Sequence, residues 1–430
     1  MQREPLQDSL QQDSLQQFLV RHTELSRRYF LGLRATGVAA LTTSPLFAGD
    51  SDNDDILRRA ISDLETWLTP ADQFRDVSRG KPVPHSLDDE ARTAAGLTRE
   101  TWSLDVVSDP EHPARLRSPL SKELGSAFQF SDLMKMAGKH AVRFPKVMTC
   151  LNIGCPLGNG IWEGVPLREL LWLTQPRENL RRVFYYGFHN DQPEQMFRSS
   201  LPVGRILEDP FDLPPVILCY KLNGQWLDPE RGGPVRIVVP EAYGFKSIKW
   251  LSHVVLSNIS HANDTYAKGN NDLDSPLKTF AATISVPSTL KPGAPFAVTG
   301  WAQSGISGLS KVQAWIQDDA QELPAGDRYY QSAPWRDATI LSPPARWAGL
   351  PGDTIPVPTM GFNPETGQPD TWPIRLSRIH WAILFPGLPE GEYTFRCRSI
   401  DSKGHGQPLP RPFRKSGHAA IEKVSIRVKA

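Results

Sequence analysis

Cys150 closes a short apolar run that begins at Val147. Asn152, Gly154, Gly158, Asn159 and Gly160 follow it, and then Trp162. A thiolate presented at a strand end can act as a nucleophile or as a soft metal ligand. Glycine and asparagine tolerate positive φ, so a loop rich in them can bring backbone N–H groups close to a ligand. Cysteine is also often a buried structural thiol, and Cys155 is near enough in sequence to be a disulfide partner. Local chemistry leaves these readings open.

Two further stretches carry polar chemistry. Gly187–Asp191, GFHND, is a polar turn after a strand pattern, where His189 could contact a ligand or simply be solvated. Arg231-Gly232-Gly233-Pro234-Val235-Arg236 and Gly244–Trp250, GFKSIKW, bring Arg231, Arg236, Lys246, Ser247 and Lys249 around glycines in neighbouring loops. Such a grouping suits an oxyanion or phosphate. Any one of these residues alone would read as part of a solvated basic rim.

The elements that must position these groups follow from periodicity. Residues 51–70 predict a helix with Ile56, Ala60, Leu64 and Leu68 on one stripe, stopped by Thr69-Pro70. Strands are expected at Trp102–Val107, Val142–Thr149, Arg182–Tyr186, Val216–Leu222, Ile237–Val239 and Leu251–Leu256, with short helices at Phe130–Gly138 and Pro166–Leu173. Asn223-Gly224 is a hairpin turn signal. The segment Asp72–Pro84 reads as extended and basic. After a polar stretch to about Ser275, alternating runs recur at Ala282–Val286, Pro295–Gln303, Ser310–Gln317, Ile379–Leu384, Tyr393–Ile400 and Ile421–Val428. This spacing predicts an immunoglobulin-like β-sandwich, with Leu323–Pro373 as an ordered loop excursion.

Composition narrows the classes. The 430 residues carry 48 basic and 47 acidic side chains, a net charge of +1 that argues against a nucleic-acid-coating protein. Thirty-nine prolines and 32 glycines suit many turns and short strands. Four cysteines at 150, 155, 219 and 397 make no zinc spacing and are too few for a disulfide framework.

The pattern C-x-N, a Gly-rich loop and W-x-G-V-P-L resembles the cofactor-cysteine segment of the sulfite oxidase family. Arg236–Trp250, RIVVPEAYGFKSIKW, is similar to the family's R-V-V-V-P-G-x-x-G-x-x-x-x-K-W. The resemblance spans roughly residues 60–430 and implies an α+β fold. A mixed α/β molybdopterin-binding domain at 51–279 precedes an immunoglobulin-like dimerisation sandwich at 280–430. It implies the molybdenum cofactor, Mo-molybdopterin, with Cys150 supplying the protein thiolate to the metal. Carried over residue by residue, Arg236, Ser247, Ile248 and Lys249 hold the pterin's phosphate and polar edge. Arg231 stands where the family has histidine, and His189 where it has aspartate. Arg414, in RKSGHAAIEKV, matches the arginine that reaches from the sandwich toward an oxyanion substrate. Arg79, in Ser78-Arg79-Gly80, takes the place of the family's R-N-H segment. The family tyrosine beside the metal falls on Asn270, and the nearest tyrosine is Tyr266.

These expectations describe a sulfite-oxidising enzyme or dehydrogenase acting on a small oxyanion. It would be a homodimer that passes electrons to a separate partner such as a cytochrome c, since no C-x-x-C-H is present. A sulfoxide reductase is the alternative within the same chemistry, and a non-catalytic extracytoplasmic binding module the alternative outside it. Residues 1–25 are polar and Gln-rich and are expected to be disordered, and Ser26-Arg27-Arg28-Tyr29-Phe30-Leu31-Gly32 before Val38–Leu41 reads as a twin-arginine export signal, so that 1–50 is a disordered N-terminus and signal. It implies a periplasmic protein whose mature chain spans no membrane. Changing Arg27 and Arg28 together to lysine should leave unprocessed precursor in the cytoplasm, and normal export of that variant in a fractionation assay would refute the signal.

Overall fold

The computed structural model describes residues 51–152, 156–190, 196–267, 269–322, 326–417 and 419–430. The export signal, Gly154, Cys155 and Asp191 lie outside them.

Residues 103–257 carry two five-stranded sheets. In the first, β1 (Ser103–Ser108), β2 (Phe128–Gln129), β5 (Arg182–Gly187), β6 (Arg198–Pro202) and β10 (Leu251–Ser257) lie in the order β2-β1-β10-β5-β6. Strands β1 and β10 run parallel, and the other pairs are antiparallel. The second sheet holds β3 (Val142–Thr149), β4 (Pro156–Pro166), β7 (Ile217–Leu222) and β8 (Gln225–Trp226) in sequence, with β9 (Arg236–Val238) also paired to β7. Strand β7 is buried on both faces. Leu218 and Tyr220 enter the core shared with the first sheet, while Ile217, Cys219 and Leu222 pack with Phe74, Phe144, Met148 and Trp162. The period-2 alternation of residues 217–220 thus serves two apolar layers from one strand, and a register shift against β4 after Cys219 turns Leu222 to the second layer.

Helix α1 (Ser51–Ser62) is shorter than its apolar stripe predicts. The Thr69 N–H donates to the Asn159 carbonyl, so the chain runs extended there, and Leu68 packs with Trp347, Phe362 and Ile374 of the long excursion. That excursion is a cover over residues 67–68 and Ile161 rather than a free loop.

The segment after Cys150 departs further from the sequence reading. From Pro156 onward it is not a loop but strand β4, eleven residues long and almost wholly buried. Its glycines answer to close approach. A Cβ on Gly158 would sit 2.4 Å from the Phe74 ring, and one on Gly164 would sit 2.4 Å from the Leu218 carbonyl oxygen.

Residues 280–428 form the third sheet system: β11 (Phe280–Ser285), β12 (Thr289–Leu290), β13 (Phe296–Gln303), β14 (Lys311–Asp318), β15 (Arg336–Ile340), β16 (Arg378–Phe385), β17 (Gly391–Ile400) and β18 (Glu422–Val428). The order is β11-β13-β16-β15-β14-β17-β18-β12. Strand β15, which the sequence reading placed inside the loop excursion, pairs with β14 through Arg336–Ala338 and with β16 through Thr339–Ile340. It therefore joins the two halves of a sandwich whose single core includes Val298, Trp381, Val312, Phe395 and Ile426. Helix α1 lies against β13 and β16.

The close approaches make a stability test. Gly164→Ala should lower stability by about 1–3 kcal/mol through overpacking. Gly138→Ala, in the helix Phe130–His140 where a Cβ meets nothing within 4 Å, should raise it by about 0.5–1 kcal/mol. Denaturant titration of the two variants against wild type reads the difference.

Candidate active site

Strand ends and the loops beyond them converge on one cavity of about 490 Å³. Cys150 follows the last residue of β3, and His189 lies two residues past β5. Arg236 opens β9, and Ser247, Ile248 and Lys249 lead into β10. These contacts are set by backbone. The Ile237 N–H donates to the Ile248 carbonyl, and the Phe188 N–H to that of Trp250. A Cβ on Gly187 would lie 2.2 Å from the Lys249 carbonyl oxygen, so only glycine lets the His189 turn pack against the lysine segment. Gly232, at φ +94°, leaves its α-carbon face to the Lys249 side chain.

Two buried arginines and a half-buried lysine define one end. The Arg236 guanidinium donates through Nη1 to the Arg231 carbonyl at 2.8 Å and through Nη2 to that of Ser247 at 2.6 Å, and it lies 5.3 Å from the Trp162 ring centre. Among the described residues its Nε, like that of Arg231, is buried with no hydrogen-bond partner. Burial lowers its pKa to about 10, so it stays charged. Arg231 donates to the Phe74 carbonyl at 2.8 Å and pairs with Glu230 at 2.8 Å. Lys249 donates to Asp76 Oδ1 at 2.8 Å, Ser78 Oγ at 2.7 Å and the Glu230 carbonyl at 2.6 Å. Burial first, and the neighbouring Arg236 charge second, bring its pKa down to about 8. Burial alone would raise Asp76, but the hydrogen bond and charge of Lys249 and the Ser78 bonds outweigh it and hold Asp76 at about 2. Lys249 thereby pins the strap Phe74–Arg79 across the cavity.

His189 is buried, and its Nδ1 lies 3.0 Å from the Gly187 carbonyl oxygen. Burial, then the nearby Arg79 charge, pushes its pKa down, so the ring is neutral. Nδ1 carries the proton that bonds this carbonyl, which leaves Nε2 as an acceptor. Cys150 is half-buried in the cavity wall, whereas Cys219 and Cys397 are fully buried and burial drives their thiol pKa values up.

A further stretch of the cavity wall is aromatic. Tyr266 lies 5.2 Å from both Phe197 and Phe245 and accepts a 3.0 Å hydrogen bond from Asn152 Nδ2. Arg79 rests 5.0 Å from the Phe197 ring centre and Lys415 5.6 Å from that of Tyr266.

The cavity therefore gathers Cys150, Arg79, His189, Arg231, Arg236, Ser247, Ile248 and Lys249. Arg414 is not among its lining residues and is exposed. Its N–H donates to the Asn270 carbonyl and Lys415 pairs with Asn271, so in this extended segment alternate side chains diverge and Lys415 turns inward. Lys246 is likewise outside the lining, held in a buried ion pair with Asp264 at 2.6 Å. The Ser247 hydroxyl is engaged by the Val239 N–H at 3.1 Å. Asn270 donates to the Pro412 carbonyl outside the cavity, while Tyr266 lines it. Sequence reasoning passed over Asp76, Ser78, Phe197 and Lys415. The D-x-S-R spacing and the alternation through Arg414–Ser416 were the available signals.

A phosphorylated cofactor fits these residues on one concrete ground. Arg79, Arg231, Arg236 and Lys249 converge on the cavity against the carboxylates of Asp76, Asp228 and Glu230, and among the described residues Arg231 Nε and Arg236 Nε are buried with no hydrogen-bond acceptor. Cys150 supplies the soft donor that a thiophilic metal requires.

The model of the oxidoreductase molybdopterin binding domain family matches residues 94–265. The sulfite oxidase of Arabidopsis thaliana is 22% identical over 308 residues, 62% of this chain and 73% of that protein. The protein-methionine-sulfoxide reductase catalytic subunit MsrP of Ralstonia nicotianae is 27% identical over 255 residues, 53% of this chain and 68% of that protein. The nitrate reductases of Beauveria bassiana and Volvox carteri also match, but the chain spans only 19% and 14% of their lengths. The sulfane dehydrogenase SoxCD of Paracoccus pantotrophus superposes with a TM-score of 0.54 at 15% identity, covering 91% of this chain and 94% of that one.

The Asp76–Lys249 clamp has a pH signature. Asp76 titrates at about 2 in the folded chain against about 3.9 unfolded, so its contribution is present above about pH 4 and is lost as pH falls through about 2. Lys249 has the opposite effect: its folded value of about 8 lies below about 10.4 unfolded, so its burial costs stability below about pH 8 and that cost fades toward pH 10. Asp76→Asn should cost about 2 kcal/mol at neutral pH. The gap to wild type in chemical denaturation should close as pH drops from about 4 toward 2.

Proposed function

Because the chain belongs to the sulfite oxidase family of molybdopterin oxidoreductases and carries the molybdenum cofactor, we propose that it oxidises sulfite or a related small sulfur oxyanion. The observation that supports this most is the shared cavity of Cys150 and the cations Arg79, Arg231, Arg236 and Lys249. The cofactor, when bound, supplies two-electron redox chemistry at a metal that can pass an oxo group.

In this reading the chain's residues divide the work along the cavity. Arg231, Arg236 and Lys249 would hold the cofactor's anionic end, with Arg231 Nε and Arg236 Nε giving donors that have no hydrogen-bond acceptor among the described residues. The Ser247 and Ile248 carbonyls are taken up by Arg236 and Ile237, so these two residues shape the wall by backbone. His189 Nε2 accepts from a polar edge. Cys150 gives its thiolate to the metal. Arg79 and Lys415 face the remaining space from the strap and from the sandwich, and they draw an anion in and orient it. Lys415 thus does what the sequence resemblance assigned to Arg414.

A second reading, reduction of sulfoxides, draws on the rings of Phe197, Phe245 and Tyr266, which suit a neutral organic substrate. We further propose export by the N-terminal signal to the periplasm, a homodimer through residues 280–430 and electron transfer to a separate carrier such as a cytochrome c. Among the described residues no helix is long and apolar enough to cross a membrane.

Cys150→Ser tests the central role. The variant should retain the fold and pterin, because the cations remain, yet lose at least 100-fold in turnover with sulfite and an artificial acceptor. Cys219→Ser, whose thiol is fully buried and does not line the cavity, should keep turnover within about threefold. Equal loss in both, or wild-type rates for Cys150→Ser, would refute the assignment.

A further inference from the structure

Resting on the reading of this site as an oxyanion-oxidising molybdenum centre, we propose that its preferred substrate is an organic sulfur oxyanion. This is a sulfinate whose anionic head meets Arg79 and Lys415 and whose apolar body lies along Phe197, Phe245 and Tyr266.

The argument is one of chemical match. An aromatic ring presents a negative face, so a bare dianion gains nothing from three rings and must shed water against them. Here the rings are fixed as a wall. Tyr266 touches Phe197 and Phe245 edge-on or tilted, and Asn152, two residues past Cys150, anchors its hydroxyl. The wall therefore shares the cavity with Cys150 and is tied to the segment that follows it. Each cation rests on a ring of this same wall, Arg79 on Phe197 and Lys415 on Tyr266, and neither has a carboxylate partner among the described residues. Their charge is thus available to an incoming anion at the edge of an apolar surface. Val77, 41% exposed and also lining the cavity, continues the apolar character toward solvent. A substrate with one charged end and one apolar end uses every part of this wall. Sulfite uses only the cations, and a neutral sulfoxide only the rings.

The reaction balances without further components. A sulfinate and water give a sulfonate, two protons and two electrons. The sulfur lone pair becomes the new S–O bond, the oxygen derives from water, and the protons leave to solvent. The two electrons pass through the cofactor to one-electron acceptors, for which ferricyanide serves in vitro.

The test uses the molybdenum-loaded full-length protein with ferricyanide and compares sulfite, methanesulfinate and benzenesulfinate. Benzenesulfinate should show a kcat/KM at least tenfold above sulfite, with methanesulfinate between them. Phe197→Ala should raise KM for benzenesulfinate at least tenfold and for methanesulfinate much less, and Phe197→Leu should fall between wild type and alanine. Sulfite oxidation as efficient as that of either sulfinate would overturn this inference while upholding the oxyanion oxidase reading. If the loaded enzyme oxidises none of the three, both fail; reduction of methyl phenyl sulfoxide by reduced viologen would then favour the reductase reading.

Discussion

The half-buried ammonium of Lys249 is the interaction on which the site depends. It donates to Asp76 and Ser78 on the strap and to the Glu230 carbonyl on the opposite loop. A buried charge without partners would cost several kcal/mol, so the strap cannot leave without the lysine losing its compensation. That one requirement fixes where Arg79 lies, because it stands three residues after Asp76. It also fixes Phe74, whose carbonyl accepts from Arg231 and whose ring fills the space left by Gly158. The glycines of β4 and the cations of the cavity are two sides of one packing arrangement.

The division of labour between the two ends follows from this. The Arg231, Arg236 and Lys249 end is closely bonded through carbonyls, its three cations lie against Phe74, Trp162 and Trp250, and among the described residues both Arg231 Nε and Arg236 Nε lack a hydrogen-bond acceptor. The other end holds Phe197, Phe245 and Tyr266, with Arg79 and Lys415 laid on ring faces. Lys415 comes from the segment between β17 and β18, so the sandwich contributes to the cavity as well as covering α1. The surroundings of Arg236 are dry enough to depress even a guanidinium, and the same dryness strengthens its attraction for an anionic group.

Much of this was legible in sequence because it is local. RIVVPEAYGFKSIKW assigns Arg236, Ser247, Ile248 and Lys249 through its resemblance to one contiguous family segment, and the alternating runs after residue 280 announce the sandwich. What was not legible depends on contacts between distant residues. Gly158-Asn159-Gly160 looks like a loop until Phe74 and Leu222 are seen to occupy the missing side-chain space. Lys246 and Lys249 are equivalent by composition, yet Asp264 claims the first and Asp76 the second. Arg414 and Lys415 are neighbours, and only the pairing of Lys415 with Asn271 decides which of them faces the cavity. The helix predicted to Pro70 stops at Ser62 because Leu68 has a better burial partner in the excursion near Trp347.

The claim at the centre of this account is that Cys150 binds the metal. X-ray absorption at the molybdenum edge of the full-length protein measures this directly. Wild type should show one more sulfur neighbour than Cys150→Ser, with Cys219→Ser identical to wild type. The same sulfur count in wild type and Cys150→Ser would contradict it.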